Sequence, residues 1–431
     1  MTDTHAASHG HDGGDDTSSA PLTTVDGIPL KVSLRRAEAR ARRRAFYLVL
    51  PLLAFLLITF AVPIVQMISR SVVNPEVSEY LPNTAEAIQS WDGEEVPPEE
   101  VFAAMADDMK VGLENRTLGR AAARINREIP GARSTVLGTA RDLDEMNPPY
   151  REAFIADDDD WQSLEFWRLI KRETRTLTPV YYLLAFDFEY SPRGEIVERP
   201  ESYQVYRLLF IRTAWMSLLI TTLCIVLGYP IAHLLATLPL KTSNLLMILV
   251  LLPFWTSLLV RTSAWIVLLQ QQGVINDMLV WLGVIDDGGR IRMIYNQLGT
   301  IVAMTHILVP FMILPLYSVM KTIPPSYMRA ARSLGATQTR AFVTVYMPLT
   351  IPGLAAGVLL VFILAIGYYI TPALVGGDTG IFISNLIAQN MTGSTAQLRL
   401  AAALATILLV AVLVLYWAFN KLVGVDRLKF G

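Results

Sequence analysis

Six apolar runs, each long enough to cross a bilayer, constrain this chain more than any other feature. They fall at residues 46–68, 208–236, 244–269, 298–320, 353–375 and 400–420. A hydrocarbon core of ~30 Å takes roughly 20 helical residues at ~1.5 Å each. Inside lipid, a helix also satisfies its own backbone N–H and C=O groups. The expected fold class is an all-α integral membrane protein with six transmembrane helices. A composition that is 53% hydrophobic, with mean hydropathy +0.41, excludes an ordinary soluble enzyme of 431 residues.

The charges are segregated. Between Val72 and Val205 lie 27 acidic and 14 basic residues, net -13, whereas from Tyr206 onward only Asp277, Asp286, Asp287, Asp378 and Asp426 are acidic. The chain therefore divides into a polar tail (1–30), a basic segment with the first span (31–71), an acidic insertion (72–205), a membrane domain (206–422) and a short second tail (423–431). The first tail is expected to lack structure, and its His5, His9 and His11 read as tail residues rather than a metal site. The run from Phe46 follows KVSLRRAEARARRR, is too long for a signal-peptide core and has no small-residue cleavage site after it, so it reads as a retained span. Lys and Arg gather at 31–44, at Lys241, across 321–340 and at 421–429, leaving Arg290, Arg292 and Arg399 in the short loops on the other side. By the positive-inside rule both termini are cytoplasmic and the insertion is extracytoplasmic. Helical periodicity near 101–113, 118–129 and 161–177 makes the insertion mainly helical. Its DDDD at 157–160 lacks the Gly and closing Glu of a calcium loop and reads as solvated charge or a helix N-terminus. VINDMLVWLGVI, in the loop 270–297, reads as an interfacial helix anchored by Trp281.

Chemistry of the enzymatic kind is missing from the sequence. It has no G-x-x-x-x-G-K-[ST], G-x-S-x-G, H-E-x-x-H or Cys-x-x-Cys, so no catalytic residues, metal ligands or cofactor are assigned to this chain. Cys224 is the sole cysteine and reads as a buried thiol. None of the five later runs holds an Asp, Glu or Lys in its interior, whereas ion-coupled carriers need such groups at depth, which excludes that class. His306 reads as a hydrogen-bonded packing residue. Arg261, in PFWTSLLVRTSAW, falls ~25 Å along a straight helix counted from Asn244, near the outer interface. It reads either as a snorkelling side chain or as part of a translocation path. Trp255, Thr256, Arg261, Tyr368 and Tyr369 are the candidate path residues, with packing or interfacial anchoring as their alternative. Pro230, Pro253 and Pro310 are expected to kink their helices.

The long polar connection between the fourth and fifth runs, PPSYMRAARSLGATQTRAFVTVYMPLTIPG (324–353), has its own organisation. Pro324 and Pro325 stop the preceding helix and Ser326 is placed to cap a short one over Tyr327–Leu334, closed by Gly335 at C′ in a left-handed or closely packed position. A second short helix is expected from Thr337 to Tyr346, before Pro348 and Pro352 introduce the next span. Ala330 and Ala331 allow close approach of another chain, and Arg329, Arg332 and Arg340 give the hairpin a basic rim.

The spacing of Ala330, Ala331, Gly335, Val345, Met347 and Pro348 resembles the EAA loop of bacterial ABC importer permeases. Arg329 stands where that family has an acidic residue, so a contact made by that carboxylate is absent or reversed. LGYPIAHLLATLP (227–239), LLPFWTSLLVR (251–261), ILVPFMILPLYS (307–318) and GYYITPALVGG (367–377) extend the resemblance, specifically to the first permease subunit of spermidine/putrescine-type importers. The resemblance implies that Arg329 to Pro348 form a coupling loop seated in a cytoplasmic ATPase. It also implies a second homologous permease, two ABC ATPase subunits that bind ATP and Mg, an extracytoplasmic solute-binding protein and a location in the bacterial inner membrane. Lipid is then a contact and nucleic acid is not. The implied solute is a polyamine such as spermidine or putrescine. Another small organic solute, opine or amino-acid-like, is the alternative, because the runs offer aromatics but no carboxylate for a cation. The insertion is longer than its counterpart in typical members, and its role does not carry over. A membrane-anchored sensor or scaffold built around 72–205 would account for the insertion but not for five further spans.

Overall fold

The computed structural model describes residues 30–191 and 193–423. The readings made for the two tails, including His5, His9 and His11, lie outside the described residues. The chain forms two compact units, Met1–Gln66 and Met67–Gly431. The described chain opens with one helical run, α1, which starts at Leu30, passes through a π turn at Leu57–Ala61 and ends at Val72, its residues up to Gln66 making up the described part of the first unit. Its apolar side chains, Leu48 and Phe60 among them, are exposed on every face, as suits a helix solvated by lipid.

The insertion is mainly helical. Two short helices, Glu76–Tyr80 and Pro82–Ala87, precede α2 (Glu99–Glu114), α3 (Leu118–Ile125), α4 (Ala132–Asp142), α5 (Tyr150–Asp157), α6 (Leu164–Glu173) and α7 (Val180–Ala185). A small antiparallel hairpin follows, β1 (Phe188–Tyr190) with β2 (Ile196–Glu198). These helices enclose an aromatic core of Phe102, Phe154, Trp161, Phe166 and Trp167, in which Phe102 meets Trp167 edge-on at 4.7 Å between ring centroids. Three of the four aspartates at 157–160 serve this packing, and Asp159 is exposed. Asp157 accepts from Thr139 at 2.5 Å, Asp160 accepts from Thr135 at 2.8 Å, and Asp158 caps the turn that carries Trp161.

The membrane helices follow: α8 (Tyr206–Thr237), α9 (Leu240–Trp255), α10 (Leu258–Leu269), α11 (Val274–Trp281), α12 (Gln297–Thr322), α13 (Pro325–Ser333), α14 (Gln338–Gly367), α15 (Ile370–Val375), α16 (Ile383–Met391) and α17 (Thr395–Val423). Among the described residues five helices, α1, α8, α12, α14 and α17, are long and apolar enough to cross a membrane. The third apolar run is not one straight helix. Leu240–Trp255 and Leu258–Trp281 meet at a bend of 97°, and only together do they make a sixth crossing. Pro253 supplies no backbone N–H to the last turn of α9, Thr256 is extended, and Ser257 caps α10 by accepting from the Val260 N–H. The distance counted along a straight helix to Arg261 therefore does not hold, because Arg261 lies beyond the bend. Pro230 and Pro310, by contrast, sit inside continuous helices.

The fifth span also differs from its expected limits. It begins at Gln338 and ends at Gly367, and residues 368–375 leave it for the short α15. Pro348 and Pro352 lie within it, after a π turn at Phe342–Tyr346. A π turn widens the helix and shifts its hydrogen bonds by one residue, which accommodates a proline N-terminal to the regular span.

Parallel α8 and α12 and antiparallel α14 form the core. Met216, Ile220 and Cys224 of α8 pack with Met304, Leu308 and Met312 of α12 and with Val361 and Ala365 of α14. Cys224 is buried, its thiol 3.7 Å from the Thr305 carbonyl. The starts of α8 and α17 adjoin the insertion, whereas Lys321 at the end of α12 reaches the Ala236 carbonyl near the end of α8. The insertion and the α13 hairpin thus lie at opposite ends of the bundle.

Candidate functional site

The hairpin between α12 and α14 is built by local sequence rules. Pro324, extended, is the N-cap and Pro325 the first helical residue of α13. Ser326 therefore sits inside the first turn rather than capping it, because the pyrrolidine ring of Pro325 already sets the helical φ. At the other end Gly335 adopts φ +91°. Its N–H bonds to the Arg332 carbonyl at 3.0 Å and the Ala336 N–H to the Ala331 carbonyl at 3.1 Å, the paired bonds of a Schellman turn. Thr337 then caps α14, its hydroxyl accepting from the Arg340 N–H at 3.3 Å. Two capped helix ends thus meet across a three-residue turn, and α14 carries straight on into the membrane rather than ending as a separate short helix.

The exposed face of the hairpin is partly apolar. Tyr327, Ala330, Ala331 and Leu334 recur at helical spacing along α13, and Leu334 at its tip is 89% exposed. Met328 faces the other way and packs against the core. Arg329, Arg332 and Arg340 are all exposed around this face. Farther along, Val345 is half-buried in the π turn, and Met347 and Pro348 are exposed on the first turn after it. Beneath the hairpin His233 of α8 lies edge-on to Phe342 at 5.2 Å and to Tyr346 at 5.0 Å, while Tyr229 bonds Thr350 at 3.0 Å. This aromatic cluster ties α14 to α8. The small Ala330 and Ala331 and the basic rim were visible in sequence, and the cluster was not, because it joins residues of α8 and α14 over 100 residues apart.

The five candidate path residues do not form one group. Trp255, 73% exposed, and Thr256 lie at the bend between α9 and α10. Arg261 is half-buried on α10, with its Nε enclosed and unpartnered. One residue on, the Thr262 hydroxyl meets that of Thr371 at 3.2 Å, so α10 packs on α15 just after Tyr368 and Tyr369. The carbonyls of Tyr368 and Tyr369 accept from Ser384 and Asn385 at 2.6 and 2.7 Å, which holds this non-helical pair against α16. An open cavity of about 520 Å³ lies among α8, α9, α10 and α12, lined by Leu227, Leu249, Pro253, Trp265, His306 and Pro310 among others and by none of the five candidate path residues. Trp265 donates to His306 Nδ1 at 3.1 Å, which gives that histidine a hydrogen-bonded packing role. Among the described residues no group of His, Cys, Asp and Glu has the arrangement of a metal site.

Comparison with known proteins bears on the whole of this region. Residues 225–423 match the family described as "Binding-protein-dependent transport system inner membrane component". The spermidine/putrescine transport system permease protein PotB of Escherichia coli (strain K12) is 37% identical over 216 residues, 48% of this chain and 76% of that protein. PotB of Haemophilus influenzae is 34% identical over 236 residues, 52% of this chain and 80% of that protein. The inner membrane ABC transporter permease protein YdcU of Escherichia coli (strain K12) is 33% identical over 235 residues, 52% of this chain and 73% of that protein. The region matched to the family takes in the hairpin, the bent pair and the α15 turn but none of the acidic insertion. With a relative at this identity aligned over three-quarters of its length, the chain belongs to the family of inner-membrane components of binding-protein-dependent transport systems.

Proposed function

We propose that this chain is a permease subunit of an ATP-driven importer for a polyamine such as spermidine or putrescine. The observation that carries the reading is the 37% identity to a spermidine/putrescine permease over 76% of that protein. In this reading Tyr327, Ala330, Ala331 and Leu334 seat the hairpin in a cytoplasmic ATPase subunit, and Arg329, Arg332 and Arg340 edge the contact. The Schellman turn at Gly335 holds Leu334 at the tip, and the unbroken helix of α14 passes a displacement of the hairpin into the core. ATP and Mg belong to the ATPase pair. A second, homologous permease completes the pathway, a solute-binding protein delivers the solute, and the insertion lies on the delivery side with both termini in the cytoplasm.

Trp255, Thr256, Arg261, Tyr368 and Tyr369 are assigned to the path between the permeases. Aromatic faces attract cations without the desolvation cost of a buried carboxylate. Arg261 would repel a polyamine unless paired, and a guanidinium near the path is the feature that favours the second reading, an opine or amino-acid-like solute carrying its own carboxylate. Uptake separates the two. In cells stripped of their own polyamine import, the chain with its neighbouring-gene partners should restore accumulation of labelled spermidine. Unlabelled putrescine should compete, and arginine or an opine should not. Competition by the amino-acid-like solutes alone would overturn the polyamine assignment.

A further inference from the structure

The insertion is joined to the membrane helices by buried polar groups. The chain enters it and leaves it side by side: the Asn74 N–H bonds to the Thr176 carbonyl and the Thr178 N–H to the Val72 carbonyl, each at 2.8 Å. Asn74, fully buried, then spends both ends of its amide. Its Nδ2 donates to Glu173 at 2.7 Å, and its Oδ1 accepts from Arg399 in the first turns of α17 at 2.5 Å. Arg399 also pairs with Glu76 at 3.3 Å, Glu173 with Arg124 at 2.7 Å, and Glu128 with both Arg124 and Arg172. With Arg127 at 3.9 Å from Glu76, four guanidinium groups therefore meet three carboxylates in one continuous ionic network. Burial works against the Arg124 charge, but Glu173, Tyr181 and Glu128 outweigh it and raise its pKa above the ordinary value.

Two further contacts act beside this network. Asp187, fully buried, accepts from the backbone N–H groups of Val205, Tyr206 and Arg207 at 3.0, 3.1 and 2.8 Å. A remote carboxylate thus satisfies the open donors at the start of α8 and complements that helix's dipole. Ala185 of α7 is buried with Leu209 of α8 and Leu404 of α17 in an apolar seam. A domain tethered for diffusional capture needs none of these contacts. Buried ionic groups tolerate little displacement, because separating them leaves charge unpaired in a low-dielectric setting.

We propose that the insertion is a rigid brace that makes the adjoining ends of α8 and α17 one body, with Arg399 as the positioning residue that locks it to α17. Whatever lands on the insertion then acts directly on those two helices. The brace goes beyond the importer reading and does not depend on its solute or its ATPase, because it is tested on the chain alone.

Cys224 would be replaced by Ser and spin labels placed at Asp142→Cys with Thr395→Cys, spanning the junction, and at Asp142→Cys with Asp107→Cys, inside the insertion. In full-length chain in lipid nanodiscs both pairs should give one narrow distance distribution. Arg399→Met should at least double the width across the junction and leave the internal pair narrow. Asn74→Leu should do the same. A junction pair already broad in the otherwise unaltered chain, or one that stays narrow in both variants, overturns the brace. If Arg399→Met also broadens the internal pair, Arg399→Lys, which keeps the charge and shortens the reach, decides by the same criterion.

Discussion

Gly357 of α14 lies against Met312 of α12 so closely that a β-carbon on it would stand 2.7 Å from the Met312 sulfur. One turn earlier, a β-carbon on Gly353 would stand 2.9 Å from the Pro315 carbonyl oxygen. The two glycines, four residues apart, let the backbone of α14 approach α12 as small residues do in membrane helix pairs. Gly357→Val should therefore force the helices apart, cost about 1–3 kcal/mol of overpacking and lower the thermal midpoint of the purified protein in detergent. Gly357→Ala should shift it less. A midpoint unmoved by Val would show that the α12–α14 contact is looser than described.

How much of this was legible beforehand varies with range along the chain. The six apolar runs located the membrane helices, and Gly335 was legible as a helix end, left-handed or closely packed, because a helix end is written in neighbouring residues; the structure shows the first. Pro253 gave warning of a kink in the third run, but not of a 97° break, which needs Thr256 and the Ser257 cap to start α10 in a new direction. The continuous α14 was misread because Pro348 and Pro352 stop a regular helix, and a π turn leaves no local mark in sequence. The junction was out of reach entirely: Asn74 and Arg399 are 325 residues apart, and each alone reads as an ordinary polar residue next to an apolar run.

Gly335 should be intolerant for a conformational reason. No atom lies within 4 Å of the position its β-carbon would take, so the demand comes from φ +91° and not from crowding. A side chain there costs about 1 kcal/mol in the left-handed region, and Asn is better tolerated than Val. Gly335→Asp should leave the protein inserted at normal abundance while reducing uptake and solute-stimulated ATP hydrolysis. Arg329→Glu, which restores the family's acidic residue, should be milder. Normal uptake by Gly335→Asp would remove the hairpin from the coupling role.

Sidedness follows from the insertion and the hairpin lying at opposite ends of the bundle. Ser90 and Thr339 are both exposed, and with Cys224 replaced by Ser either can carry a single cysteine. On intact spheroplasts an impermeant thiol reagent should label Ser90→Cys and not Thr339→Cys. The reverse pattern would invert the topology and put the hairpin out of reach of any cytoplasmic ATPase.

The central claim is that this chain carries a polyamine across a membrane at the expense of ATP hydrolysed by a partner. The most direct measurement uses proteoliposomes holding the chain with its second permease and ATPase, loaded binding protein outside and nucleotide inside. Labelled spermidine should accumulate above its external concentration with ATP and Mg, and should not with a non-hydrolysable analogue. Spermidine that merely equilibrates, or that accumulates equally with the analogue, would contradict the account.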